Sequence, residues 1–209
     1  MCIFTAQWSW MKNTDFITLL ITPHINGAYL ENLQLKIQSL SVDWIMYRHQ
    51  NSEWIESFTQ SLSFLHKPLL LNIPFKNTEE ILQLSKDFAG VHLKSIYLSW
   101  ITPLRESYLA LGEKKIIGYS AHSIDEVTYA LACGADYCTL SPIFSTPNKG
   151  TPLGMEVFYQ IPKSLRSRII ALGGINNYHI PLLKELGLLG FAGIRCFEET
   201  NENHRGVAD

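Results

Sequence analysis

The sequence lacks the marks of a metal-bound or disulfide-bound domain. Its four cysteines, Cys2, Cys133, Cys138 and Cys196, show no C-x-x-C spacing and no zinc-type pairing with histidine. They read as small buried apolar residues of a reducing cytosol. An excess of either charge is also missing. Lys and Arg total 17 against 19 Asp and Glu, a net charge of −2, which leaves no broad basic field for nucleic acid, so any anion must be held by local geometry. No apolar run approaches the ~18 residues of a membrane span. The opening Met1-Cys2-Ile3-Phe4-Thr5-Ala6-Gln7-Trp8 has neither the basic region nor the long apolar stretch of a signal peptide. No Pro/Gly/Ser-rich linker or internal repeat divides the chain. The expectation is a soluble, cytoplasmic protein of one domain, residues 1–209, that binds neither nucleic acid nor membrane.

What is present is alternation. Short apolar runs exchange with helix-length amphipathic segments, the pattern of a parallel sheet. The runs 16–22, 43–48, 68–72, 90–93, 115–120, 137–141, 168–172 and 189–194 read as strands. Between them, 30–40 has apolar residues at helical spacing. Ser52 is placed to cap a helix bearing Trp54, Ile55, Phe58, Leu62 and Leu65 on one face. Further helices are expected over 77–87, 103–111, 123–133 and 176–186. The 123–133 helix opens with a capping box, Ser123-Ile124-Asp125-Glu126. A flavodoxin-like sheet needs only about five strands. This count therefore favours a (β/α)8 TIM barrel, near the lower size limit of about 200 residues. The polar ending 197–209 leaves the last helix short or missing.

Function in such a barrel lies in the loops that follow the strands. Polar residues and glycines recur there: Arg48 and Gln50, Asn72, His92, Ser120 and His122, the run Ser141 to Lys149, Gly173-Gly174, and Arg195. Gly173-Gly174 stands between a strand and a helix expected to start after Asn176. It is either a bare tight turn or a place where free amides meet a phosphate. The loop Ser141 to Gly150 has the length of a substrate lid, and its Lys149 is either a phosphate contact or a solvated surface lysine. His122, just past a strand, is either an acid–base group or a structural donor to a carbonyl. His92 is expected to be a satisfied core histidine. Trp8, Trp10 and Trp100 are candidate markers of a subunit contact in a homo-oligomer.

These residues resemble the thiamine-phosphate synthase family and its TenI-type thiazole tautomerase relatives. The matching pieces are Tyr47-Arg48, Leu71-Asn72, Gly90-Val91-His92-Leu93, Gly118-Tyr119-Ser120-Ala121-His122-Ser123, Gly134-Ala135-Asp136-Tyr137, Ser141-Pro142-Ile143-Phe144, Thr146 with Lys149, and Ala171-Leu172-Gly173-Gly174-Ile175. The block from Gly118 to Lys149 is the specific part. The resemblance implies thiamine biosynthesis, with a pyrimidine pyrophosphate joined to a thiazole phosphate and pyrophosphate released. It implies that Arg48, Asn72 and Lys149 hold the pyrophosphate, that Ser120 and Thr146 line the junction of the two substrates, and that Gly173-Gly174 binds the thiazole phosphate. It also implies Mg²⁺.

The family's metal-binding acids are missing, however. Its Asn-Asp-Asp stretch is Asn72-Ile73-Pro74 here, and Lys94-Ser95-Ile96-Tyr97 follows the Gly-Val-His run in place of its second acid. Met46 replaces a glutamine, Gln50 a basic residue and Arg195 a serine of the family pattern. Mg²⁺ prefers carboxylate oxygens, so no metal ligand is assigned. Two alternatives stay open. One is a metal-independent tautomerase in which His122 is the acid–base group and Gly173-Gly174 with Arg195 holds phosphate. The other is a barrel that binds a thiazole or thiamine phosphate without turnover.

Overall fold

The computed structural model describes residues 16–39, 41–147 and 149–194. Eight parallel strands form a closed barrel in chain order: β1 (Ile17–Ile21), β2 (Trp44–Arg48), β3 (Leu69–Asn72), β4 (Gly90–Leu93), β5 (Ile116–Ala121), β6 (Tyr137–Leu140), β7 (Ile169–Leu172) and β8 (Gly190–Gly193). The ring is sealed where β8 pairs with β1, with Leu19 opposite Ala192. The expected (β/α)8 barrel is therefore the observed fold. Its short apolar runs become strands because each is covered on both faces, which rewards continuous apolar sequence over strict alternation.

Strand alternation divides the core in two. Leu19, Trp44, Met46, Leu70, Tyr137 and Ile170 belong to one buried cluster that fills the barrel. Their strand neighbours Leu20, Ile45, Tyr47, Leu71, Cys138 and Ile169 belong to a larger cluster beneath the helices. Burying each leucine or isoleucine side chain contributes roughly 1.5–3 kcal/mol.

The helices are α1 (Gly27–Ser39), α2 (Ile55–Leu62), α3 (Thr78–Leu84), α4 (Ile101–Ala110), α5 (Ile124–Ala132), α6 (Val157–Gln160), α7 (Lys163–Arg166) and α8 (Ile180–Glu185). In α5 the Ser123 side chain accepts from the Glu126 amide, as the capping box requires, and Val127, Ala130 and Leu131 are buried. Gly134, at φ +107°, ends it. Ser52 does not cap α2: Trp54 stands at that position and makes no side-chain cap. Ser52 instead accepts the Ile55 amide through its carbonyl. The chain between β6 and β7 holds two one-turn helices, α6 and α7, for which the sequence shows no periodic signal.

The amino ends of β5 and β6 are tied by charge. Arg105 meets Asp136 at 2.5 Å and also donates to the Gly134 and Lys115 carbonyls, while Asp136 accepts the Ile117 amide at 2.7 Å. Asp136 thus belongs to the scaffold at the end of the barrel opposite the strand carboxyl termini. Cys133 and Cys138 are free thiols, the latter buried. Trp100 is stacked on Tyr97 within the chain, ring centroids 4.5 Å apart. Trp8, Trp10, Cys2 and Cys196 lie outside the described residues. No helix among the described residues is long and apolar enough to cross a membrane.

Candidate functional site

Parity along the strands decides what reaches the mouth. Trp44 and Met46 fill the barrel, so Arg48, two residues on, stands at the carboxyl rim of β2, where it is exposed and paired in register with Asn72. Asn72 is buried, and its amide nitrogen donates to the His92 carbonyl at 2.6 Å, tying β3 to β4 at the rim. Lys94 follows His92 by two residues and is half-buried at the end of β4. Burial first, then the Arg48 charge, hold its amine below the ordinary lysine range. The carboxyl ends of three adjacent strands therefore present two cations around an amide.

This donor set does not fit Mg²⁺. The positions after Asn72 are a buried Ile73 and Pro74, and the position after β4 is a lysine. Among the described residues no group of three or more His, Cys, Asp or Glu is placed to hold a metal ion. A divalent cation beside Arg48 and Lys94 would meet positive charge where it needs carboxylate oxygen.

Below the rim lies a buried polar network. His92 Nδ1 is 2.9 Å from the Tyr137 hydroxyl and its Nε2 is 2.9 Å from Ser120 Oγ, with Thr139 Oγ1 at 3.4 Å. Desolvation pushes the His92 pKa down to about 3, so the ring is neutral and one nitrogen donates while the other accepts. It is the satisfied core histidine that the sequence implied. The network has room because β5 carries Gly118, where a methyl group would fall 2.4 Å from Tyr137 Cζ. Ser120, at the mouth end of β5, is joined to this histidine.

His122 is exposed and lies just past β5. Its amide donates to Glu126 at 2.8 Å, and its Nδ1 is 2.8 Å from the Ser141 carbonyl. A carbonyl only accepts, so Nδ1 carries a proton and donates it to Ser141. Of the two sequence readings, the structural one is the contact observed: the Ser141 carbonyl orients the ring.

The loop after β6 packs on the glycine turn after β7. Ile143 and Phe144 donate their amides to the Leu172 and Gly173 carbonyls at 3.0 and 2.9 Å. Gly173 and Gly174 have φ +100° and +68°, and a Cβ on Gly174 would sit 2.7 Å from that of Phe144. Both glycines are thus required by backbone conformation and by the close approach of this loop. The amides of Gly173, Gly174 and Ile175 donate to no acceptor among the described residues.

The helix expected from Asn176 begins only at Ile180. Asn176 Oδ1 accepts the Tyr178 amide and the His179 ring accepts the Asn176 amide, both at 3.1 Å, a local turn that competes with helix. Free donors near the double glycine therefore come from the turn and not from a helix end. Replacing Gly174 with Ala should cost about 1–2 kcal/mol from the left-handed backbone alone, and more from Phe144. Urea unfolding would show it, and unchanged stability would contradict the packing described.

Thr146 donates to the Phe144 carbonyl at 3.1 Å, turning the loop back on itself, and Lys149 is exposed, its amide on the Thr146 carbonyl. Arg195 lies outside the described residues. Lys94, Tyr137 and Thr139 are the residues that sequence reasoning missed. Lys94 stood out only as a lost acid, although two-residue alternation from His92 already placed it at the mouth.

The fold and the rim define a (β/α)8 barrel with its chemistry-bearing side chains gathered at the carboxyl ends of the strands. Comparison with known proteins narrows this class. The family model for thiamine monophosphate synthase matches residues 18–197, and the chain belongs to that family. It is 29% identical to the thiamine-phosphate synthase of Syntrophomonas wolfei, over 88% of this chain and 89% of that protein. It is 26% identical to the thiamine-phosphate synthase of Clostridium acetobutylicum, over 95% and 96%. Among solved structures, the thiamine phosphate pyrophosphorylase of Pyrococcus furiosus matches with a TM-score of 0.64 at 20% identity, covering 86% of each chain, which supports the barrel.

Proposed function

We propose that this chain performs the joining step of thiamine biosynthesis. The bond between the pyrimidine methylene carbon and the pyrophosphate oxygen breaks, and pyrophosphate leaves with the electron pair. The thiazole nitrogen lone pair then forms the new carbon–nitrogen bond. Both substrates are small phosphorylated molecules. The observation that carries this reading is the placement of two anion-holding features across one mouth. Arg48 and Asn72 end β2 and β3, whereas the unpaired amides of the Gly173-Gly174 turn follow β7. In a closed ring of eight, β3 and β7 stand opposite each other. Two phosphorylated substrates fit that spacing better than one.

In this reading Arg48 and Asn72, with Lys149 from the loop, hold the pyrophosphate. Preorganised cations stabilise a leaving group as its charge develops. The glycine turn holds the thiazole phosphate. Ser120 and Thr146 line the space between, and Ser120 is kept in one orientation by its bond to the buried His92.

A second reading draws on His122, whose ring is oriented by its Nδ1 contact. With Nε2 as the acid–base atom, that favours a thiazole tautomerase. The joining reaction moves no proton at the thiazole nitrogen, so the two readings separate on one variant. His122→Ala should keep thiamine phosphate formation within about tenfold, about 1.4 kcal/mol, when both substrates are assayed with and without Mg²⁺. Proton exchange on a thiazole carboxylate phosphate that disappears in this variant, with no thiamine phosphate formed by the unaltered protein, would make it a tautomerase. Binding of thiazole phosphate without either reaction would make it a non-catalytic barrel.

A further inference from the structure

Two positive side chains are brought together at the mouth with nothing of opposite charge between them. Arg48 ends β2 and Lys94 follows β4, flanking Asn72 at the end of β3, and all three share the parity that points toward the barrel opening. Neither the guanidinium nor the ammonium has a hydrogen bond or ion pair among the described residues. Elsewhere among the described residues, buried or half-buried cations are satisfied. Arg105 has its carboxylate and carbonyls, Lys115 reaches three carbonyls, and Arg166 donates to two.

Lys94 is also rigidly based. The Tyr97 amide donates to its carbonyl at 2.9 Å, and the Tyr119 hydroxyl donates to the Ser95 carbonyl at 3.0 Å. A half-buried ammonium on the same rim as a guanidinium, with no carboxylate to offset either, is eased when an anion binds between them. A ligand with several negative charges gains most, and the stacked phosphoryl oxygens of a pyrophosphate can meet both cations at once.

We infer that Lys94 and Arg48 form a two-cation clamp that grips a pyrophosphate group directly, with no divalent cation between protein and ligand. The inference deepens the proposed joining reaction and rests on its assignment of this side of the mouth to pyrophosphate. Lys94 takes the place of an intervening metal charge, and Asn72 keeps the β3 and β4 ends at fixed separation.

The test is calorimetric titration of the full chain with inorganic pyrophosphate in EDTA, repeated with Mg²⁺ and with inorganic phosphate. Pyrophosphate should bind in EDTA, more tightly than phosphate, and Mg²⁺ should not strengthen it. Lys94→Gln should weaken binding in EDTA at least tenfold, and Lys94→Arg should restore it to within about threefold. The Lys94 ε-carbon resonance should titrate at higher pH once pyrophosphate is bound, a change that a structural lysine would not show. Binding that requires Mg²⁺, equal affinity for phosphate, or a Lys94→Gln protein that binds as the parent does would overturn the clamp. Loss of thiamine phosphate formation alongside intact metal-free pyrophosphate binding would sink the joining reaction and leave the clamp standing.

Discussion

Acidification below pH 6.5 is expected to remove stability at up to about 1.4 kcal/mol per pH unit through one residue, His92. In the folded chain desolvation pushes this ring down to about 3 from an ordinary 6.5. Between those values the unfolded chain takes up a proton that the folded chain refuses. Stability therefore rises with pH across this window, is complete above pH 6.5, and is lost progressively as pH falls toward 3. Protonation would also break the network, because a charged ring can only donate and one of its hydroxyl partners would have to turn. Urea unfolding at several pH values should give a shallower acid limb for His92→Gln than for the parent. Superimposable slopes would show that the ring is not buried neutral as described.

The second large effect is steric. Gly90→Ala should lower stability by about 3 kcal/mol or more, at the top of the range for an overpacked interior. A Cβ at this position would lie 2.1 Å from the Ile116 carbonyl oxygen and 2.5 Å from the Ile116 amide nitrogen. These are backbone atoms of β5, so no rotamer change relieves the contact, and β4 and β5 must separate where they pair. Because β4 carries His92 and leads directly into Lys94, the same variant should also weaken pyrophosphate binding. Thermal unfolding of the variant gives the measurement. A cost below about 1 kcal/mol would mean that the two strands are not this close.

The two residues also differ in how visible they were. Gly90 and His92 stand in a four-residue apolar run, and the run declared the strand. Nothing in it declared that the glycine admits a neighbouring backbone, since that depends on which strand lies beside it. Ser123 and Glu126 are a contrasting case. Their cap was readable because both partners lie within one turn, and the structure shows it. Ser52 looked equally suited and caps nothing, because tertiary packing set the start of α2 at a later residue. Asn176 failed as a helix start for a local reason: its side chain and the His179 ring satisfy nearby amides in a turn.

The candidate site was legible as a set of rim residues and illegible as a set of contacts. Arg48, Asn72, Ser120, His122, Thr146, Lys149 and the double glycine could be picked out because barrel strands release their polar residues at one end. That Ser120 binds His92, that His122 is held by Ser141, and that Gly174 lies under Phe144 join positions 28, 19 and 30 residues apart. Spacing along a chain carries no information about such pairs.

What the sequence by itself determined is the alternation of strand and helix, and hence a barrel whose rim could be named residue by residue. Hydrophobic periodicity and end caps act within a few residues and are written locally. Only the tertiary structure decided which rim residues meet, that Lys94 and Arg48 share one side of the mouth, and that His92 is held neutral. Those outcomes depend on ring closure and strand register, which bring distant residues within a few ångströms and strip water from them together.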